Sequence, residues 1–325
     1  MTYPVVGSVA SAKVGLITAG NAASLAHALL PCNHQAHKPD PRQSQLEWFE
    51  ETLKTSQTPD ILLSSEFLCD LEADAFATLN AIAKKSGRTL KVVAWVREQA
   101  SYVESIYIQH VKRRRITEMP TPYIKALYPT LQHLKYHTFL SALSETLGLE
   151  SVSVIEYGKS DVIGDMLDIL GLEDKGFDRP SKKINVSLPY FLVPIFLELN
   201  KLDPNMSFSD QVVRNQAQLQ LHETPERRSL LAPELRTEIR QYFEAENKAL
   251  SKAFFGGTKI FEATPPEYIS IEEASRELDA IAVTKLLGGI AIQHERRLVR
   301  VERAILALGK KLDFEPNWVR KIPTN

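Results

Sequence analysis

A chain of 325 residues with 44% hydrophobic and 24% charged side chains can bury a core of normal size, which excludes wholesale disorder. Its formal net charge of −1 excludes a globally basic nucleic-acid or membrane-surface binder, so contact with a polyanion has to come from a local patch. Cys32 and Cys69 are its only cysteines and form neither a CxxC nor a Cys/His array at zinc spacing, so no metal is expected. Two isolated thiols and an N-terminus without a basic-then-apolar leader point to a cytoplasmic location. The strongest apolar run, 190–197, contains Pro194 and is too short to span a bilayer.

In chain order, short apolar runs at 14–18, 60–64, 90–96 and 152–155 have strand character, each bounded by Gly, polar or charged residues. Between them, 45–53, 73–83, 102–111 and 131–147 carry apolar residues three or four apart and predict helices. Strands alternating with helices predict an α/β fold with a mostly parallel sheet covered on both faces. From about residue 160 the pattern becomes helical. A helix over 161–170 is stopped by Gly171, another over 189–200 opens with a proline, and a longer one over 233–255 ends at Gly256 and Gly257. Thr264, Pro265 and Pro266 then mark a boundary.

The C-terminal segment carries Leu287, Ala291, His294, Leu298, Val301, Ile305, Leu308 and Leu312 at alternating steps of four and three. That is a heptad seam flanked by Glu295, Arg296, Arg297, Arg300 and Arg303. Two readings fit it: an amphipathic helix lying against its own domain, or a coiled coil joining two copies into a homodimer.

The segment with most chemical content runs from Lys91 to Ser105. An apolar strand ends in Arg97, and a helix then carries Ser105, with seven residues between the two. This sets a guanidinium at the C-terminal edge of a parallel sheet, where open α/β folds bind ligands. The planar fork of arginine matches phosphate oxygens, and the following helix start favours the same anion. An arginine in such a place also commonly serves a structural ion pair.

On these residues the chain resembles the sulfotransferases that use 3′-phosphoadenosine 5′-phosphosulfate (PAPS), in their bacterial, carbohydrate-type branch. Val-Arg-Glu-Gln-Ala-Ser-Tyr-Val-Glu-Ser-Ile-Tyr at 96–107 is similar to that family's 3′-phosphate strand and helix. Ile-Leu-Leu-Ser-Ser-Glu at 61–66 resembles the preceding strand, Asn185-Val-Ser187-Leu188 the loop that closes over the nucleotide, and Asn247 a later helix position. The likeness covers residues 14–257 and implies a P-loop-like three-layer sandwich with a central parallel sheet, a helical C-terminal half and a helical C-terminal extension. It divides the chain into a sulfotransferase-like domain at 1–262 and a helical extension at 263–325.

The resemblance implies sulfuryl transfer from PAPS to a hydroxyl of a saccharide or glycan precursor, in polysaccharide biosynthesis, without metal or nucleic acid. Arg97 and Ser105 would bind the 3′-phosphate, and Lys183, Asn185 and Ser187 would close over the nucleotide. Lys182 and Lys183 also read as solvated surface charges. Glu66 would accept the acceptor's proton, or else cap the next helix or pair with a cation. The family's opening phosphosulfate loop corresponds to 14–29, where Gly20 and Ser24 would serve as donors. Its lysine is replaced by Ala19 and its second glycine by Asn21, while Lys13 precedes the strand. A relative that binds nucleotide or glycan without transfer is therefore the second reading. His27, His34 and His37 lie near Cys32 at no zinc spacing, and the basic run from His110 to Arg115 reads best as a solvated helix end.

Overall fold

The computed structural model describes residues 1–5, 19–34, 36–37, 42–174, 188–202, 228–277 and 280–311. The first helices are α1 (Ala23–Leu29), α2 (Arg42–Thr55) and, after a 3₁₀ turn at Glu66–Asp70, α3 (Ala73–Lys85). Next come β1 (Val92–Val96), α4 (Gln99–Arg113), α5 (Pro120–Leu127), α6 (Tyr136–Leu147), β2 (Val152–Glu156) and α7 (Val162–Ile169). A 3₁₀ turn at Tyr190–Leu192 leads into α8 (Val193–Leu202), followed by β3 (Arg228–Ser229), α9 (Pro233–Tyr242) and α10 (Glu244–Phe254). The described chain ends with β4 (Glu267–Tyr268), α11 (Ile271–Arg276) and α12 (Ala280–Lys311). The protein is thus a mixed helix-and-strand fold in which, among the described residues, two small parallel pairs make up the sheet structure: β1 with β2 and β3 with β4.

The chain forms two compact units. The first comprises Met1–Tyr102, Lys125–Asn185 and Arg236–Thr264, and the second Val103–Ile124, Val186–Leu235 and Pro265–Asn325.

In the first unit β1 and β2 pair in register from Val92↔Val152 to Val96↔Glu156. Helix α3 buries Ala75, Phe76, Leu79 and Ala83, the apolar stripe its sequence period predicts, and packs on α6 through an edge-on Phe76–Phe139 contact at 6.3 Å. Gly87, at φ +68, ends α3 in the left-handed conformation that suits glycine, and the Arg88 amide bonds back to Ala83 O. The Arg88 guanidinium gathers the carbonyls of Leu53, Ser56, Thr58 and Pro59 at 2.6–3.2 Å, tying the end of α2 to the next loop. Asp161 caps α7 by accepting from the Ile163 and Gly164 amides.

In the second unit the Asn200 amide donates to Val111 O and Ile116 O at 2.8 and 2.9 Å, satisfying one carbonyl in the last turn of α4 and one in the loop after it. The Glu104 carboxylate is buried and accepts from Ser229 Oγ and from the Leu230 amide at 2.7 Å, which fixes β3. Ser270 and Glu273 close a capping box at the start of α11.

Three expectations are corrected. Residues 60–64 do not form a strand; Ile61 makes one isolated parallel bridge with Thr2, and the residues after it are held by a side chain. The helix expected over 131–147 begins at Tyr136, because a 3₁₀ turn at Gln132–Leu134 occupies its start. The helix expected over 233–255 is two, with an irregularity at buried Phe243 that keeps its hydrogen bonds to Ile239 and Asn247. The expected strand at 14–18 lies outside the described residues.

Candidate functional site

Arg97 follows β1 at the carboxyl end of the parallel pair, half-buried, with its guanidinium 5.7 Å from the centre of the Tyr157 ring just past β2. Tyr157 is exposed. The Tyr136 hydroxyl donates to Arg97 O at 2.9 Å, so the backbone that carries the guanidinium is held from α6. Burial raises the Tyr136 phenol well above its ordinary range, and it stays a donor at all physiological pH.

The residues around Arg97 are fixed by ion pairs. Glu98 meets Arg236 at 2.9 Å and Arg240 at 2.5 Å, and accepts from the Ser101 hydroxyl. Burial opposes its charge, but the bonds from Ser101 and Arg240 and the Arg236 cation hold the carboxyl below the usual carboxylate range. Gln99 and Asn247 exchange two amide hydrogen bonds at 2.7 and 3.1 Å. Asn247 therefore serves the packing of α10 on the start of α4.

The 3₁₀ turn that begins at Glu66 carries a second set of ionisable groups. Glu66 is exposed at its first position, and Ser65 Oγ caps the turn by accepting from the Phe67 amide. At the last position Asp70 takes His133 Nδ1 at 2.9 Å and lies 3.6 Å from His34 Nε2. His34 Nδ1 accepts from the Ala36 amide, so in the neutral ring the proton sits on Nε2, facing Asp70. His133 Nε2 is buried without a hydrogen-bond partner. Tyr102 lies edge-on to His133 at 5.8 Å, and burial together with the charges of Cys69, Asp70 and Glu66 pushes its phenol up to about 12 while Arg97 draws it down. Tyr102 thus stands in the electrostatic field of both Arg97 and the Glu66–Asp70 turn.

Cys69, Asp70 and His133 offer ligand atoms within 4.8 Å of one another, a donor set of the kind that suits zinc. The thiol donates to Glu66 O, and burial, then the Asp70 charge, raises its pKa to about 12. Cation binding there would have to displace that proton.

The remaining expected residues divide. Gly20 has φ +80, and a Cβ on it would stand 2.0 Å from Ser64 O, so only glycine permits this approach. Next to it, Asn21 is buried and spans the 62–64 segment: its Nδ2 donates to Leu62 O at 2.9 Å and its Oδ1 accepts from the Ser64 amide at 2.7 Å. Ala22 N completes the join to Ser64 O at 3.0 Å. The side chain of Asn21 thus does structural work that a glycine at this position could not. Ser24 is half-buried in α1, a helix of seven residues. Ser105 is half-buried on the part of α4 that belongs to the second unit, whereas Arg97, Glu66, Gly20 and Ser24 belong to the first. Lys183, Asn185 and Ser187, and Lys13 with them, lie outside the described residues.

Comparison of the chain with protein-family models, curated proteins and solved structures finds no match in any of the three. Function has to be argued from the residues. Asp70, His133, Tyr102 and Tyr157 are the members that sequence reasoning missed. Their sequence signals are weak: a His–Asp pair 63 residues apart has no local spacing to announce it.

No helix among the described residues is long and apolar enough to cross a membrane.

Proposed function

We propose that the chain binds a 3′-phosphorylated adenosine nucleotide and is built for sulfuryl transfer from PAPS to a saccharide or glycan hydroxyl, within a P-loop-like three-layer arrangement. The observation that carries the reading is the Arg97 guanidinium at the carboxyl end of the β1–β2 parallel pair, over the exposed Tyr157 ring. That edge is where open parallel sheets receive nucleotides. Arginine supplies a fork for phosphate oxygens, and Ser105 enters on its sequence spacing from Arg97. In the transfer step the acceptor oxygen attacks sulfur in line, the bond from sulfur to the 5′-phosphate oxygen breaks, and adenosine 3′,5′-bisphosphate (PAP) leaves. Glu66 takes the acceptor's proton, its exposed position on the turn leaving it accessible to a sugar hydroxyl. Asp70 at the end of the same turn, paired with His133 from the Gln132–Leu134 turn, offers a second acid–base unit.

Ala19 in place of the loop lysine removes an ammonium that would act on the transition state, a loss on the order of 10²–10³ in rate. The proposal is therefore tight PAP binding with slow transfer, and a non-transferring binder is the limiting case. Calorimetric titration with PAP tests it. Arg97→Ala should weaken binding by ~2–3 kcal/mol, the scale for a charge-assisted hydrogen-bonded partner, and Ser105→Ala by ~1 kcal/mol. Adenosine 5′-phosphate should bind more weakly than PAP and be indifferent to Arg97→Ala. Equal wild-type affinity for the two nucleotides overturns the assignment. Ala19→Lys should raise transfer, with Asn21 retained because of its bonds to the 62–64 segment.

A further inference from the structure

Helix α12 runs for 32 residues, and along its described seam, Leu287 to Leu308, most positions are exposed; Leu312 lies outside the described residues. Leu287, Leu298, Val301 and Leu308 are each about half exposed, at 53%, 54%, 49% and 57%. Ala291 and His294 on the same seam are exposed and Ile305 is half-buried, whereas Ile290, off the seam, is buried. The reading in which this helix lays its seam on its own domain is therefore not what the fold adopts. Leucine and valine exposed in a continuous line along a helix expose far more apolar surface than scattered surface residues do, and such a line calls for a partner.

We propose that the partner is a second copy of the chain, and that the two α12 helices form a parallel, in-register coiled coil. The charges beside the seam select this arrangement. Counting Leu287 as a d position makes Ala291, Leu298 and Ile305 a positions and His294, Val301 and Leu308 d positions. Arg297 then stands at g, and Glu295 and Glu302 stand at e. In a parallel dimer each g residue faces the e residue five positions on in the partner, so Arg297 meets Glu302 twice, once on each side of the seam. An in-register antiparallel pair would bring e against e and g against g, setting glutamates near glutamates. His294 adds a register signal. In register, the two imidazoles face each other, and a neutral ring has both a donor and an acceptor to exchange. A shift of one heptad would bury each imidazole against an apolar residue with nothing to bond. Ile305 at a, followed by Leu308 at d, is the combination that favours two strands. This inference rests on the seam and its flanking charges, independently of any nucleotide site.

Sedimentation of the full-length protein across the micromolar range tests it. The expected mass is twice that of the chain. Leu298→Glu with Val301→Glu should give a monomer with unchanged far-ultraviolet circular dichroism, because both side chains are exposed in the single chain. Arg297→Glu and Glu302→Arg should each raise the dimer Kd by about 5- to 30-fold, two symmetric exposed pairs being lost and like charges opposed. The double variant Arg297→Glu/Glu302→Arg should bring Kd back to within about threefold of wild type, because it restores both pairs with reversed sign. A wild-type monomer throughout the range, or a dimer that Leu298→Glu/Val301→Glu leaves intact, overturns the proposal. A double variant weaker than either single one overturns the parallel orientation.

Discussion

Replacing Gly20 with alanine would test how the segment before α1 is joined to the turn bearing Glu66. The substitution has two costs. The first is conformational: φ is +80, and an L-residue held in the left-handed region loses about 1–2 kcal/mol. The second is steric: the new methyl would stand 2.0 Å from Ser64 O, a backbone atom that cannot rotate aside. The loop would have to withdraw, stretching the bonds Ala22 N→Ser64 O, Asn21 Nδ2→Leu62 O and Ser64 N→Asn21 Oδ1. At ~1 kcal/mol each these add about 3 kcal/mol, for a total of roughly 4–5 kcal/mol. Gly87 is the internal control. Its φ is +68, but a Cβ there meets nothing within 4 Å, so Gly87→Ala should cost only the conformational 1–2 kcal/mol or so. Urea denaturation of both variants, followed by far-ultraviolet circular dichroism, gives the comparison. Equal losses for the two variants would refute the claim that close approach to Ser64 is what requires glycine at position 20.

Two further outcomes follow from the buried titratable groups. Cys32 is exposed whereas the Cys69 thiol is pushed up to about 12, so Ellman's reagent at pH 8 should label one equivalent quickly, and Cys69→Ala should abolish only the slow one; two fast equivalents would contradict the packing around the Glu66–Asp70 turn. His110, whose ring meets the Tyr123 hydroxyl at 2.7 Å, has its pKa lowered to about 4 by burial and then by Arg114. Between that value and the unfolded histidine's ~6.5 the unfolded chain binds a proton that the folded one refuses, so stability should fall as pH drops through this window. His110→Gln should flatten that dependence, and its imidazole resonances in the wild type should not titrate between pH 8 and 5.

Much of the local structure was legible in the sequence because it depends on neighbours along the chain. The apolar stripe at Ala75, Phe76, Leu79 and Ala83 specifies α3 whatever it packs against, and the run before Arg97 and the one after Ser151 have the β-branched density of buried parallel strands. Asp161 and Gly171 bracket α7 by local capping chemistry. The 62–64 segment was misread because its apolar run is that of a strand, while its hydrogen bonds go to the side chain of Asn21, some forty residues away in the chain. Likewise, the sequence set Arg97 at a strand end, but Tyr157 beneath its guanidinium and Tyr136 against its backbone come from distant elements. The meeting of Asp70 with His133 has no periodicity to betray it. The heptad seam of α12 was plain from its spacing, yet spacing is the same for a helix that packs on its own domain and one that does not. Only the tertiary structure decides between them, because solvent exposure is a property of the whole fold's surface and not of the segment that carries the pattern.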